Sequence, residues 1–119
     1  MTTLNLFRNA KDVQLYTAGQ TIFEAGQPGD IMYIVQEGDV DIVLAGRVID
    51  TCGPGGIIGE MALISDKPRS AAAVAKTDCK LVPIDEKLFT FMLQQTPYFA
   101  IQVMHVIAER LRRYMEAMA

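Results

Sequence analysis

Gly59-Glu60-Met61-Ala62-Leu63, followed ten residues after the glycine by Arg69-Ser70-Ala71, is the stretch of this 119-residue chain whose residue types and spacing could do chemistry. A glycine and a carboxylate open a short apolar segment, which reads as one helical turn leaving a strand-and-turn region. The first amides of such a turn have no intrahelical partner and can face an anion. Arg69 offers a guanidinium able to grip phosphate oxygens in two-pronged fashion. The small residues Ser70, Ala71 and Ala72 would let a ligand come close to the backbone.

One arginine and a few amides suffice for a singly charged cyclic phosphate, with no metal. A nucleoside triphosphate site would need GxxxxGK[ST] and magnesium, and neither that motif nor its lysine is present. A 3′,5′-cyclic phosphate leaves the 2′-OH as the only free sugar hydroxyl. Glu60, ionised, is an acceptor for it, provided that the carboxylate lies on the sugar side and Arg69 on the phosphate side.

Gly59-Glu60-x-Ala62-Leu63, five residues, then Arg69-Ser70-Ala71-x-Ala73-x-Ala75 resembles the phosphate-binding cassette of the cyclic nucleotide-binding domain family. That family includes the catabolite activator protein, the regulatory subunits of cAMP-dependent protein kinase and the cyclic nucleotide-gated channels. Upstream, Gly26-Gln27-Pro28-Gly29-Asp30-x-Met32-Tyr33-Ile34-Val35-x-x-Gly38 is similar to the family's glycine-punctuated hairpin. The resemblance covers roughly residues 5 to 117.

The resemblance implies a ligand, cAMP or cGMP, and a role for each matching residue. Glu60 would take the ribose 2′-OH and Arg69 the equatorial phosphate oxygen. Amides near Ala62 and Ala71, with the Ser70 hydroxyl, would complete the cradle that Gly59 permits. Ile49, Met61 and neighbouring Leu63 would stand as apolar surroundings, Ile49 and Met61 against the purine. Arg110 and Tyr114, in a run aligning with the family's lid helix, would cap the base. Ser70 after the arginine favours cAMP, although a hydroxyl there can also meet the 2-amino group of a syn guanine.

The elements that must hold these residues fall into two regimes, divided near Pro83. Strands are predicted at Val13–Thr17, Thr21–Glu24, Ile31–Gln36, Val40–Leu44, Val48–Thr51, Ala71–Ala75 and Cys79–Ile84, separated by glycine-containing turns. Ala45-Gly46-Arg47 reads as a tight hairpin. Beyond Pro83 there is no glycine. Asp85 is a natural N-cap for a helix over about 85–95, and Thr96-Pro97 starts a second over about 97–117. That helix carries Met104, Ile107, Leu111, Tyr114 and Met118 at 3-4-3-4 spacing, a stripe expected to pack on the domain's own strands. Leu4 and Phe7 add a short N-terminal helical turn. The expected fold is one domain over 1–119: mostly β, an antiparallel β-roll (jelly roll) of about eight strands over 13–84, flanked by that turn and two C-terminal helices.

Composition narrows the alternatives. Half the residues are hydrophobic and 21% are charged, a globular balance. The net charge of −3 argues against direct nucleic-acid binding. No signal peptide or membrane segment is legible, and Cys52 and Cys79 read as free thiols, so the expected location is the cytoplasm. A metal enzyme on a small barrel would need two or three converging histidines, and His105, the only one, reads as a helix-surface residue. No catalytic residue, metal or cofactor is expected. A roll that has lost its ligand and serves as a scaffold or dimerisation unit is the alternative. A homodimer through the C-terminal helix stays open, as do the downstream effector and whether the chain stands alone or is part of a larger regulator or channel.

Overall fold

The computed structural model describes residues 6–64 and 67–118, with the side chains of residues 117 and 118 excepted. Leu4, Ser65, Asp66 and the side chain of Met118 therefore lie outside the described residues. Leu6 and Phe7 are helical, and Phe7 is buried.

Eight strands form two four-stranded antiparallel sheets. They are β1 (Gln14–Tyr16), β2 (Thr21–Phe23), β3 (Met32–Glu37), β4 (Val40–Leu44), β5 (Arg47–Cys52), β6 (Ile57–Ile58), β7 (Ala72–Ala75) and β8 (Cys79–Ile84). One sheet has the order β1-β8-β3-β6, the other β2-β7-β4-β5. The helices are α1 (Met61–Ile64), α2 (Glu86–Gln95) and α3 (Pro97–Met118). This is the β-roll with two C-terminal helices that the strand and turn pattern predicts. Strand β6 is the one that the pattern lacks: two residues between Gly56 and Gly59 are too short to show a period.

Two apolar cores explain the sequence patterns. Tyr33, Val35, Ile42, Ala73, Ala75 and Leu81 fill the space between the sheets. Met32, Ile34, Val82 and Ile84 turn outward and are covered by Phe7, Phe89, Phe99 and Val103. Strand β3 faces both cores, so Met32-Tyr33-Ile34-Val35 is continuously apolar and buried, where a half-exposed strand would alternate. Phe99 is fully buried, with its ring 6.0 Å from that of Phe7 and 6.1 Å, edge-on, from that of Phe89. Gln36 donates from Nε2 to the carbonyls of Phe7 and Ala10, tying the N-terminal segment to the sheet.

Pro83 sits inside β8 without harm to the ladder. Strand β1 pairs β8 only as far as Leu81, so at Pro83 the strand has a neighbour on one side alone. The β4–β5 hairpin closes through Ala45 and Gly46, both left-handed (φ 51° and 77°). Asp85 caps α2 as expected, its carboxylate accepting from the Leu88 amide at 2.8 Å. Among the described residues no helix is long and apolar enough to cross a membrane. Cys52 and Cys79 are free and buried.

Helix α3 corrects one expectation. Of the predicted stripe, Ile107 and Tyr114 face the roll, whereas Met104 and Leu111 are 60% and 57% exposed, so the stripe is only in part the packed face. The face against the strands and α2 carries Phe99, Val103, Val106, Ile107 and Arg110. The helix has apolar residues on more than one side, and spacing alone cannot say which side meets the roll.

Candidate functional site

Strand β6 is followed by Gly59, whose φ of 73° turns the chain into α1. That left-handed conformation is one an L side chain enters only with strain. A Cβ there would also lie 2.6 Å from Nη1 of Arg69, so the position is doubly restricted to glycine. The turn sets Glu60 inward at 3% exposure. The Ala62 amide, assigned by resemblance to an anion, donates instead to the Gly59 carbonyl at 3.1 Å.

Arg69 arrives from the other side, just before β7. Its amide donates to the Gln27 carbonyl and its carbonyl accepts from the Gly26 amide, both at 2.8 Å, so the β2–β3 loop clamps its main chain. The guanidinium lies over the Phe23 ring, 4.1 Å from its centroid. Nη1 donates to the Gly59 carbonyl at 3.2 Å and Nη2 to the Ile31 carbonyl at 2.8 Å, while the buried Nε has no hydrogen-bond partner among the described residues. Burial pushes the pKa of Arg69 down, against the opposing pull of Tyr33, Asp30 and Glu60.

Glu60 already has a charge partner. Nη1 of Arg110, from α3, lies 2.5 Å from its Oε2, and both residues are buried. Arg110 also donates from Nη2 to the Cys52 sulfur at 2.9 Å and to the Ile57 carbonyl, and its Nε is 3.8 Å from Asp50. Burial alone would lower the pKa of Arg110, but the Glu60 carboxylate and the Cys52 sulfur together outweigh it and the guanidinium is held above its usual value. Asp50 also holds Arg113 at 3.0 Å.

One cavity collects most of the predicted residues. Gly59, Glu60, Met61, Ala62, Arg69, Ser70, Ala71, Arg110 and Tyr114 line it, together with Phe23 and Ile42. Leu63 packs toward the helix-side core, and Ile49 packs on the inter-sheet core and lines a separate surface groove with Arg112 and Arg113. His105 is exposed. Phe23 and Ile42 had no motif to mark them. They reach the cavity because β2 and β4 flank β7, and both residues pair with Ala73. The cavity measures about 30 Å³, room for a water or two, whereas small-molecule sites span roughly 300–1,000 Å³.

Comparison with known proteins gives one consistent result. The profile of the family described as "Cyclic nucleotide-binding domain" matches residues 13–96. The cAMP-dependent protein kinase regulatory subunit of Eremothecium gossypii is 42% identical over 85 residues, which cover 71% of this chain and 19% of that protein. The regulatory subunit of Aspergillus niger is 38% identical over 87 residues, covering 71% and 21%. The chain thus spans about a fifth of the length of these curated relatives. Among solved structures, the Thermus thermophilus catabolite activator protein superposes with a TM-score of 0.78 at 29% identity, covering 98% of this chain and 57% of that one. A structure described under a cyclic-GMP-dependent signalling pathway of bacterial phytopathogenesis gives 0.74 at 30% identity, covering 93% and 94%.

Proposed function

The chain belongs to the cyclic nucleotide-binding domain family, and on that premise we propose that its cavity takes a 3′,5′-cyclic mononucleotide, cAMP in preference to cGMP, in a regulatory module with no catalytic step of its own. Arg69 carries the reading. Glu60 has Arg110 as a partner without any ligand, so its burial alone does not call for one. Arg69 has only two main-chain carbonyls, an idle buried Nε and a place on the cavity wall. A desolvated cation so placed is an anion receptor.

In this reading Arg69 binds the equatorial phosphate oxygen, with the Ser70 hydroxyl and the Ala71 amide beside it. Glu60 accepts from the ribose 2′-OH with the carboxylate oxygen that Arg110 leaves free. Met61, Arg110 and Tyr114 border the base. Ser70 after the arginine and the naming of the kinase subunits for cAMP support that base, and the likeness to a protein of a cyclic-GMP pathway makes cGMP the competitor.

A cavity of about 30 Å³ cannot admit a nucleotide as it stands. Entry therefore requires the Arg110–Tyr114 segment of α3, or the Arg69 side chain, to move. Nucleotide would act by favouring one position of α3 over another through differential affinity. Identical amide-exchange protection of residues 105–118 with and without nucleotide would refute that mechanism.

The deciding experiment is thermal unfolding with cAMP, cGMP and 5′-AMP, repeated on Arg69→Ala. At a hundredfold excess over Kd, ligand adds about 2.7 kcal/mol. A shift with a cyclic nucleotide that is absent with 5′-AMP and lost in the variant establishes the sensor. No shift with either cyclic nucleotide leaves the ligand-free scaffold.

A homodimer through α3 has its own supporting observation. Ile101, Met104, Ala108, Leu111 and Met115 recur at 3-4-3-4 spacing, and all five are exposed. That is the spacing of a coiled-coil seam, on a different side of the helix from Arg110.

A further inference from the structure

The Arg69 guanidinium is fixed on three sides before any ligand arrives. Its Cζ lies over the Phe23 ring, 4.1 Å from the ring centroid. The carbonyls of Gly59 and Ile31 each accept a hydrogen bond from one terminal nitrogen. Gly29 stands so close to the guanidinium that a Cβ there would lie over the flat of the fork, 2.5 Å from Nε and 2.6 Å from both Cζ and Nη2. A guanidinium is a rigid planar fork of five N–H donors, and rotating it changes which donors face the cavity. The two carbonyls hold the fork within its plane, and the ring and Gly29 set the plane.

We propose that Phe23 is a positioning residue for anion recognition: its ring fixes the plane of the Arg69 fork and so decides which of the two exocyclic phosphate oxygens is held. The proposal rests on the cyclic-nucleotide reading of the same cavity. Phe23 lies far from the cassette in sequence and reaches it through pairing with β7 at Ala73. Its partial burial against the inter-sheet core keeps the ring in place. A leucine would fill much of the same volume but offers no π face to a cation.

Two measurements test this, and the first needs no nucleotide. Nitrogen-detected NMR of the arginine side chains reports rotation about the Nε–Cζ bond of Arg69. Slow rotation in the wild type, faster in Phe23→Leu and slow again in Phe23→Tyr is the expected pattern. Equal rates in the wild type and Phe23→Leu overturn the proposal. The second compares the two phosphorothioate diastereomers of cAMP, in which sulfur replaces one or the other exocyclic oxygen. The wild type should prefer one diastereomer, Phe23→Leu should bind cAMP about tenfold more weakly with that preference diminished, and Phe23→Tyr should restore it. A uniform loss of affinity with the preference intact would mark a merely structural role and overturn the proposal. Should Phe23→Leu fail to fold, Gly29→Ala, whose methyl presses on Nε, Cζ and Nη2 and tilts the same plane, carries the same two readouts. A wild type that binds no cyclic nucleotide refutes the functional reading instead, and the rotation rates still decide the role of the ring.

Discussion

Arg110 and Glu60, fifty residues apart in sequence, form a buried ion pair at 2.5 Å that joins the last helix to the turn opening the cassette. The carboxylate that the motif assigns to a sugar is thus also the anchor of α3. Arg110 in turn contacts Cys52, Ile57 and Asp50, so the pair sits at the centre of a connected polar cluster.

Breaking this pair on one side should be expensive. Arg110→Met leaves a carboxylate buried at 3% exposure without its cation, for which we expect a loss of about 3–5 kcal/mol. Glu60→Gln together with Arg110→Met should cost less than the two single changes summed. Urea unfolding of the four proteins measures the coupling, and additivity would show that the pair contributes nothing as a pair.

Gly59→Ala should damage stability and binding together. The left-handed φ of 73° costs on the order of 1–3 kcal/mol for a side chain, and the added methyl meets Nη1 of Arg69 at 2.6 Å. Denaturant unfolding reads the first effect. Titration with cyclic nucleotide reads the second, which should resemble a partial loss of Arg69.

Ala45 offers the opposite case. It holds φ 51° at the first position of a two-residue hairpin, where Asn-Gly is the favoured pair. Ala45→Asn should stabilise the domain by about 0.5–1 kcal/mol with binding unchanged. A melting temperature that stays put or falls would show that the hairpin carries no strain.

The stability of the domain should decline with alkali. Burial raises the pKa of the Cys52 and Cys79 thiols, against the lowering influence of Arg110 on Cys52 and of Thr77 on Cys79. The folded state therefore holds its thiol protons more tightly than the unfolded chain. That contribution is fully present below the unfolded pKa of about 8.5 and is lost as pH rises from there through the raised folded values. Unfolding free energies from pH 7 to 10 should fall, with a shallower slope in Cys52→Ala. An unchanged slope would assign the effect to other groups.

Leu111→Glu on the exposed seam of α3 should leave the fold intact and abolish self-association. Sedimentation velocity across a concentration series checks this. A wild type that is monomeric at every concentration would remove the dimer.

What the sequence reveals here depends on what its patterns encode. The strands from Val13 to Thr51 are legible because glycine turns bound them, and Asp85 because a cap is a local device. Strand β6 is hidden by its brevity. Phe23 is hidden because its relation to Arg69 runs through the pairing of β2 with β7, which no local pattern records. Arg110 is found by resemblance as a lid residue, but its bond to Glu60 depends on where α3 comes to rest, and apolar spacing around that helix is ambiguous. Nine of the eleven predicted site residues line one cavity, whereas Ile49 and Leu63 lie elsewhere.

Strand β3 gives its side chains alternately to the inter-sheet core and to the helix-side core. It is therefore a shared wall, and neither the roll nor the helices can melt while the other stays native. Calorimetry should record a single transition, with the β3 amides among the slowest in the molecule to exchange with deuterium. Any movement of α3 is then confined to its distal half, beyond Ile107, because the proximal half, through Val103, Val106 and Ile107, packs on the same core as the strand.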